Sequence, residues 1–494
     1  MSLPDLARLA SAPKKTLRDL GRALAAIGVR LSAAAPIVAA VEGLPPVLRR
    51  PIRAFHLRRR RDAVGVAMRA LLFSDPVTPE EARSAFRDAL APMLDLGLLA
   101  AQPDGSVVSP FVLAIADDLF VLSDDLAQGG EAVMGLGSST IDLCRAAFPV
   151  ARVGRVLDMG CGSGTAALVL ARQAREAIGV DLNPRAVALA RVNAALNGLE
   201  NVSFREGDLF ASVVGETFDL IVSQPPFVPR PRGAAAATYL YGGARGDELA
   251  LTLLARVGAH LAPGGRAILG VDWPEGAGDP LEARLRRAVG DDGPSLIVLA
   301  SPTVSPDEHA TSYAAGLHPA LGPAFDDEVA VRLAHFVDQG LTGVRPTIVV
   351  IEPARAGEAF TELVPIEARS RGEIGSGRID RLLAARALLA RGDDAIGAAR
   401  LRVPEGTVLA QEQEGPGAEV ASTLVARLPP AALVGPRAIT GEELLLVTTV
   451  HEGASVREGI ARFCEQTGAD LEVARAHLLA LVRGAIAAGL LEVA

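Results

Sequence analysis

Four short segments of this chain place acidic, glycine or amide side chains where polar chemistry needs them. In VGRVLDMGCGSGTAALVLA, an apolar run ends at Asp158, and Gly160, Cys161, Gly162 and Gly164 follow before an alanine-rich apolar stretch. A strand, glycine loop and helix of this kind lets backbone N–H groups approach a ligand closely. It also suits a dinucleotide. Counted from Gly162, GSGTAA fits the relaxed GxGxxA pattern, although the strict pattern counted from Gly160 fails at Thr165. A carboxylate at Asp158, ahead of the first glycine, favours an ammonium-bearing ligand over a pyrophosphate. S-adenosylmethionine is therefore favoured over a nicotinamide or flavin cofactor, with Cys161 present for its small size.

The second segment, AIGVDLNP, ends an apolar run at Asp181, which can accept hydrogen bonds from both ribose hydroxyls of a nucleoside; Leu182 lies beside it. The blander reading of Asp181 is a cap on the helix ahead of Pro184, a role that can coexist with the first. The third, FREGDLF, puts Asp208 where it can accept from an exocyclic amine of adenine, with Leu209 against the ring; Asp208 also reads as an ordinary turn residue. The fourth, FDLIVSQPPFVPRP, brings Gln224, Pro225, Pro226 and Phe227 to the end of another apolar run. A side-chain carbonyl oxygen and a main-chain carbonyl there can hold both N–H groups of a planar nitrogen. The prolines remove competing donors and fix the turn.

The elements that must position these residues alternate in type. RVLDMG, EAIGVD, FDLIVSQ and GGRAILGV read as short buried strands, with helices over Thr165–Glu176, Arg185–Asn197 and Gly246–Leu261. SLIVLA (295–300) and PTIVVIE (346–352) supply two further strands with helix between. The pattern predicts an α/β fold: a doubly wound, seven-stranded Rossmann-like core over about 135–354, with Asp158, Asp181 and Asp208 along one sheet edge. Residues 1–134 read as a helical accessory domain with a cluster of arginines at 49–61. Thr78, Pro79, Glu80 and Glu81 form a helix start, and QPDG turns a short hairpin. Residues 355–494 form a second accessory domain in which EQEGPGAEV is a loop. Both ends look winged-helix-like, the second over about 430–494.

Composition sets bounds. The 494 residues suggest two to four domains. Half of them are apolar and the formal charge is −9, which excludes a disordered chain and a surface that wraps nucleic acid throughout. Of 49 basic residues only Lys14 and Lys15 are lysine, the coding bias of a GC-rich bacterial genome. Cys144, Cys161 and Cys464 form no CxxC or Cys/His cluster, and the histidines, His309, His318 and His335 among them, lack ligand spacing, so no metal is expected. No segment reads as a signal peptide or membrane span, and the chain is expected to be cytoplasmic.

The ordered motifs, and Gln224-Pro-Pro-Phe above all, resemble those of the class I S-adenosylmethionine-dependent methyltransferases. The resemblance is to the branch carrying an (N/D/S)PP(Y/F) tetrapeptide, which includes release-factor glutamine and ribosomal-RNA guanine methyltransferases. The segment YLYGGARGDELALTLLARVGAHLAPGGRAILGV is similar to those enzymes, with its GG-x-x-G and PGG turns. The resemblance implies methyl transfer to an amide or amino nitrogen on a protein or peptide, an RNA or a small molecule, with Gln224 at the junction of cofactor and acceptor. Gln224 departs from the Asn, Asp or Ser of the pattern and adds a methylene. Tyr239, Tyr241, Arg245 and Asp247 either line the acceptor pocket or order the loop, and Trp273 either covers that pocket or packs. Thr140 and Gly137–Ser139 are placed to close over the methionine end of the cofactor. The rival reading is a nucleic-acid- or protein-binding module whose cofactor site is a sensor or relic. Oligomeric state is left open by the sequence.

Overall fold

The computed structural model describes residues 3–494 except 42, 45, 127, 128, 130, 235, 236, 277, 278, 319, 320, 355–358, 367–373, 415–420, 429–436, 452 and 453. The chain divides into two compact units, Met1–Val364 and Pro365–Ala494.

The first unit is built on an eight-stranded sheet. Its strands are β1 (Val153–Met159), β2 (Ala174–Asp181), β3 (Val202–Glu206), β4 (Phe218–Ser223), β5 (Leu261–Gly276), β6 (Ser295–Ala300), β7 (Leu341–Glu352) and β8 (Thr361–Pro365). They lie in the order 8-6-7-5-4-1-2-3. β1 pairs in parallel with β2 and β4, β2 with β3 and β4 with β5, whereas β7 is antiparallel to both β5 and β6. Chain order reverses direction between β1 and β4, which opens a crevice at their carboxyl ends. The sheet holds one strand more than the seven read from the sequence: β8 extends the β6 edge, where Leu296 N–H donates to Phe360 O at 2.8 Å.

Among the described residues seven helices accompany the sheet: α1 (Ser138–Ala147), α2 (Thr165–Ala171), α3 (Pro184–Leu196), α4 (Glu248–Val257), α5 (Leu281–Val289), α6 (Pro306–Leu317) and α7 (Pro323–Asp338). The helix anticipated over Thr165–Glu176 stops at Ala171, because Ala174 already enters β2 and Glu176 pairs across the strands with Arg155. Every residue of α2 is buried, so an alanine-rich sequence is what this tight layer admits.

The N-terminal helices do not pack among themselves alone. Leu17, Leu20 and Leu24 share one hydrophobic cluster with Leu189, Val192 and Leu196 of α3. Asn193 on α3 and Asn197 at its C-cap each bond both the N–H and the C=O of one residue in the strand Leu119–Ser123: Leu122 and Phe120 respectively. Thr78 caps the helix Pro79–Phe86 in a full capping box with Glu81, as its spacing predicts.

Trp273, the single tryptophan, is fully buried in the β5 core, and its Nε1–H donates to Thr347 Oγ1 at 3.0 Å. It packs and does not cover a pocket. Trp273→Ala is therefore expected to destabilise the first unit by about 3–5 kcal/mol through the cavity it leaves. Urea unfolding followed by circular dichroism measures this, and an unchanged midpoint would contradict the packing role.

In the second unit the helices Gly441–His451, Val456–Thr467 and Leu471–Ala487 enclose a core of Leu446, Val450, Ile460, Leu478 and Val482. Leu401–Arg402 pairs with Glu492–Val493, and Val408–Glu414, Ala421–Arg427 and Arg437–Ile439 form a three-stranded antiparallel sheet. Glu412, Gln413 and Glu414, expected in a loop, are in strand opposite Thr423, Ser422 and Ala421; the rest of that loop, 415–420, lies outside the described residues. So do 355–358, at the expected boundary of the core, and 430–436, where the second winged-helix-like region was expected to begin.

Candidate active site

β1 delivers Asp158 to the crevice, 4% exposed, with Oδ2 accepting from Ala167 N–H at 2.8 Å. Among the described residues no cation stands against it. Burial, with the nearby Asp181 charge as a lesser cause, pushes its carboxyl up to about 7. The loop after it is tied to β2: Gly160 and Cys161 N–H donate to Val180 O at 2.8 and 3.0 Å, and Gly162 N–H to Asp181 Oδ2 at 2.8 Å. Gly160 adopts φ +72°, and a Cβ built there would meet nothing within 4 Å, so its open side is free for a ligand. Gly164 is required for the opposite reason. At φ +85° it starts α2, and a Cβ would lie 2.9 Å from the Ala190 methyl carbon and 3.0 Å from the Phe204 ring.

Asp181, partly exposed at the tip of β2, accepts from Gly162 N–H and, through Oδ1, from Asn183 N–H at 2.9 Å. Burial raises its carboxyl. The helix cap is Asn183, whose side chain accepts from Arg185 N–H, so Asp181 is not needed for that task. Leu182 beside it is 64% exposed, a bare apolar surface at the crevice. Asp208 is exposed at the head of the short helical turn Leu209–Val213, and Leu209 sits at φ +47°, a strained conformation for leucine.

Cys161 is buried, and desolvation lifts its thiol well above the ordinary value, which fits a packing role beside Gly179 and not a nucleophile.

At the end of β4, Ser223 Oγ–H donates to Met159 O at 2.7 Å and locks β4 to β1. Gln224 is half-buried beyond it. Its Oε1 accepts from Thr140 Oγ1–H at 3.0 Å and its Nε2–H donates to Ser139 Oγ at 2.5 Å. Pro225 is buried; Pro226 is half-buried, and Phe227 packs on the sheet core. The GG-x-x-G segment backs directly onto this turn. A Cβ at Gly242 would lie 2.4 Å from Pro226 O, and one at Gly246 would lie 2.5 Å from Phe227 O.

The loop residues weighed as pocket or scaffold are mostly scaffold. Asp247 is buried against Arg284, with Oδ2 to Nε at 3.3 Å, and Arg245 donates to Gln339 O at 3.1 Å. His335 bonds Ala244 O at 2.7 Å, and Tyr241 lies 3.5 Å from the buried Arg332 guanidinium. Burial and Arg332 hold His309 down at about 4, neutral at physiological pH.

Some positioning residues were missed in the sequence. Asp124 is buried, pairs with Arg185 of α3 at 2.7 Å and accepts from Val133 N–H at 2.9 Å. It thereby anchors the segment whose Met134 carbonyl stands over Gly162. Asn193 also donates to Ser163 O inside the glycine loop at 2.9 Å. An asparagine in a helix interior, where its propensity is poor, was the available signal.

The family model of the methyltransferase small domain matches residues 140–271, which hold Thr140, the glycine loop, Asp181, Asp208 and Gln224. A release factor glutamine methyltransferase of Deinococcus radiodurans is 44% identical over 144 residues, 27% of this chain and 50% of that one. That of Rhodospirillum rubrum is 35% identical over 229 residues, 37% of this chain and 69% of that one. That of Cereibacter sphaeroides is 34% identical over 226 residues, 43% and 75% respectively. The chain belongs to the release factor glutamine methyltransferase-like branch of the class I S-adenosylmethionine-dependent methyltransferases. It spans about half the length of several other relatives in this branch. The Gln224 turn, after β4, stands where the branch carries its tetrapeptide.

Proposed function

We propose that this protein transfers a methyl group from S-adenosylmethionine to the side-chain nitrogen of a glutamine in a protein acceptor, a release factor or a protein like it, in the cytoplasm of a bacterial cell. The observation that carries the reading is the juxtaposition of a buried Asp158, with no cation against it among the described residues, and an open Gly160 with the Gln224 turn at one sheet edge. When bound, S-adenosylmethionine supplies an electrophilic methyl group. Its ammonium suits Asp158, its ribose suits Asp181, and Leu182, Asp208 and Leu209 suit an adenine ring and its amine.

The chain's own residues act by holding. An amide nitrogen is a poor nucleophile because its lone pair is delocalised. Gln224 Oε1 and a main-chain carbonyl of the turn accept its two N–H groups and aim the nitrogen at the methyl, while Phe227 flanks the amide plane. Positioning of this kind supplies much of a rate enhancement and requires no general base before transfer. As the N–C bond forms the sulfur–methyl bond breaks, leaving S-adenosylhomocysteine, and the methylated, now acidic nitrogen gives up its proton to water. Residues 1–134 and those after 354 are proposed to select the acceptor. The N-terminal part supports a winged-helix-like reading: the Val77 bridge to Val107, the helices Pro79–Phe86 and Leu90–Asp95, and the Ala100–Ala101/Val107–Val108 hairpin follow in order.

The test is incubation of the full chain with methyl-labelled S-adenosylmethionine and a purified bacterial release factor, with the label located by mass spectrometry. Label on a glutamine side chain is expected; label only in ribosomal RNA would overturn the acceptor class. Asp181→Ala is expected to weaken binding of S-adenosylhomocysteine by about 1.5–3 kcal/mol, the worth of hydrogen bonds to a charged group. Calorimetry with S-adenosylhomocysteine and NAD reads this, and tighter binding of NAD would end the methyltransferase reading.

A further inference from the structure

Gln224 is the point at which the chain departs from the tetrapeptide of its branch, and the structure gives the extra methylene a destination. The side chain reaches from the end of β4 to the first turn of α1, where both of its polar atoms find hydroxyls: Thr140 Oγ1 on Oε1 and Ser139 Oγ on Nε2. Gly137 caps this helix without a side chain, and neither Ser139 nor Thr140 is used as a cap. A carboxamide offers two lone pairs and two N–H groups. The clamp takes one of each and leaves one of each beside it, facing an acceptor with a fixed pair of complementary groups. A free glutamine would spread this pair over many rotamers and would lose that freedom on each encounter with substrate.

We propose that Ser139 and Thr140 are positioning residues that set the reach and orientation of Gln224, so that the acceptor geometry belongs to the Ser139–Thr140–Gln224 group and not to Gln224 alone. This rests on the reading of Gln224 as the residue that holds the acceptor. It also assigns the two hydroxyls to the acceptor side of the crevice and not to the methionine end of the cofactor. Asparagine, one methylene shorter, is expected not to reach both of them.

The full-length chain carrying Thr140→Val or Ser139→Ala together with Thr140→Val tests this, with release factor as acceptor, calorimetry for S-adenosylhomocysteine and thermal unfolding. The double variant is expected to lose about tenfold or more in kcat, the scale of lost hydrogen bonds, with cofactor Kd within about twofold. Thr140→Ser should restore most of the loss. In a Gln224→Asn background the same double substitution should change kcat by less than about twofold, a non-additivity that a purely structural role does not produce. A loss of cofactor affinity matching the loss of kcat would overturn the proposal. So would full activity of Thr140→Val alongside an inactive Gln224→Ala, although the acceptor reading would then stand. Full activity of Gln224→Ala would instead remove the acceptor reading itself. A readout independent of turnover is the Gln224 side-chain amide in a 1H–15N spectrum, assigned by its loss in Gln224→Ala. Its hydrogen exchange should be markedly faster in the double variant, and equal rates would overturn the clamp.

Discussion

Gln224→Ala is expected to reduce turnover by roughly 100-fold or more while leaving cofactor Kd within about threefold, because it removes an acceptor that orients the reacting nitrogen. The loss should appear in kcat more than in KM, since the hydrogen bond matters most when the lone pair is aimed at the methyl. Truncation also strips the Ser139 and Thr140 hydroxyls of their partner, which adds to the disorder at the turn. Gln224→Asn is the more discriminating variant. It restores a carbonyl oxygen at the shorter reach of the branch but outside the grasp of α1, so it is expected to recover part of the activity lost in Gln224→Ala, on a broader set of planar amines, while lacking the roughly tenfold that the clamp supplies. If Gln224→Ala weakened cofactor binding as much as it slowed turnover, the residue would belong to the cofactor site and the mechanism above would be misplaced.

The second large effect concerns pH. Burial holds the Asp158 carboxyl up at about 7 in the free chain, and an ammonium brought against it favours the ionised form. Binding below pH 7 must therefore expel a proton. Affinity for S-adenosylmethionine is expected to be flat above about pH 7.5 and to fall by up to about tenfold per pH unit below 7. Stability of the free chain runs the other way. The folded state binds the proton more tightly than the unfolded one, so this contribution is fully present below the ordinary carboxyl value of 3.8 and is lost as the pH rises through about 7. Asp158→Asn should remove both dependences, stabilise the free chain at pH 8 and weaken the cofactor by roughly 100-fold through loss of the charged partner. Calorimetry across pH 5.5–8.5 (about three units, bracketing the shifted carboxyl) measures the linkage. A Kd that does not vary over that range would show that Asp158 does not meet the ammonium.

Much of the crevice was legible from short-range features. Asp158, Asp181 and Gln224 each end an apolar run, and a strand's polar terminal residue lands at the sheet edge whatever the rest of the fold does. The glycines at 160, 162 and 164 were readable because left-handed backbone is a local demand, met by φ values of +72°, +53° and +85°. Helix starts at Thr78 and Pro184 were likewise carried by neighbouring residues. Where the reading failed locally, at the end of α2, two apolar periods overlapped: an alanine-rich helix runs straight into a strand with only Arg172 and Gln173 between.

By itself, then, the sequence determined the α/β alternation, the placing of the carboxylates and glycines at one sheet edge, and the tetrapeptide that follows β4. Each of these is a property of about ten consecutive residues and survives any arrangement of distant parts. Only the tertiary structure decided what Gln224 touches, since its partners lie 84 and 85 positions away in a segment with no periodic tie to it. The same holds for Trp273, whose burial depends on Thr347 across a strand pair, and for the N-terminal helices, whose apolar faces are completed by α3. Apolar faces and hydrogen-bonding groups state that a partner is needed. Which partner meets the need is set by the order of strands in the sheet and by the close packing of its two faces.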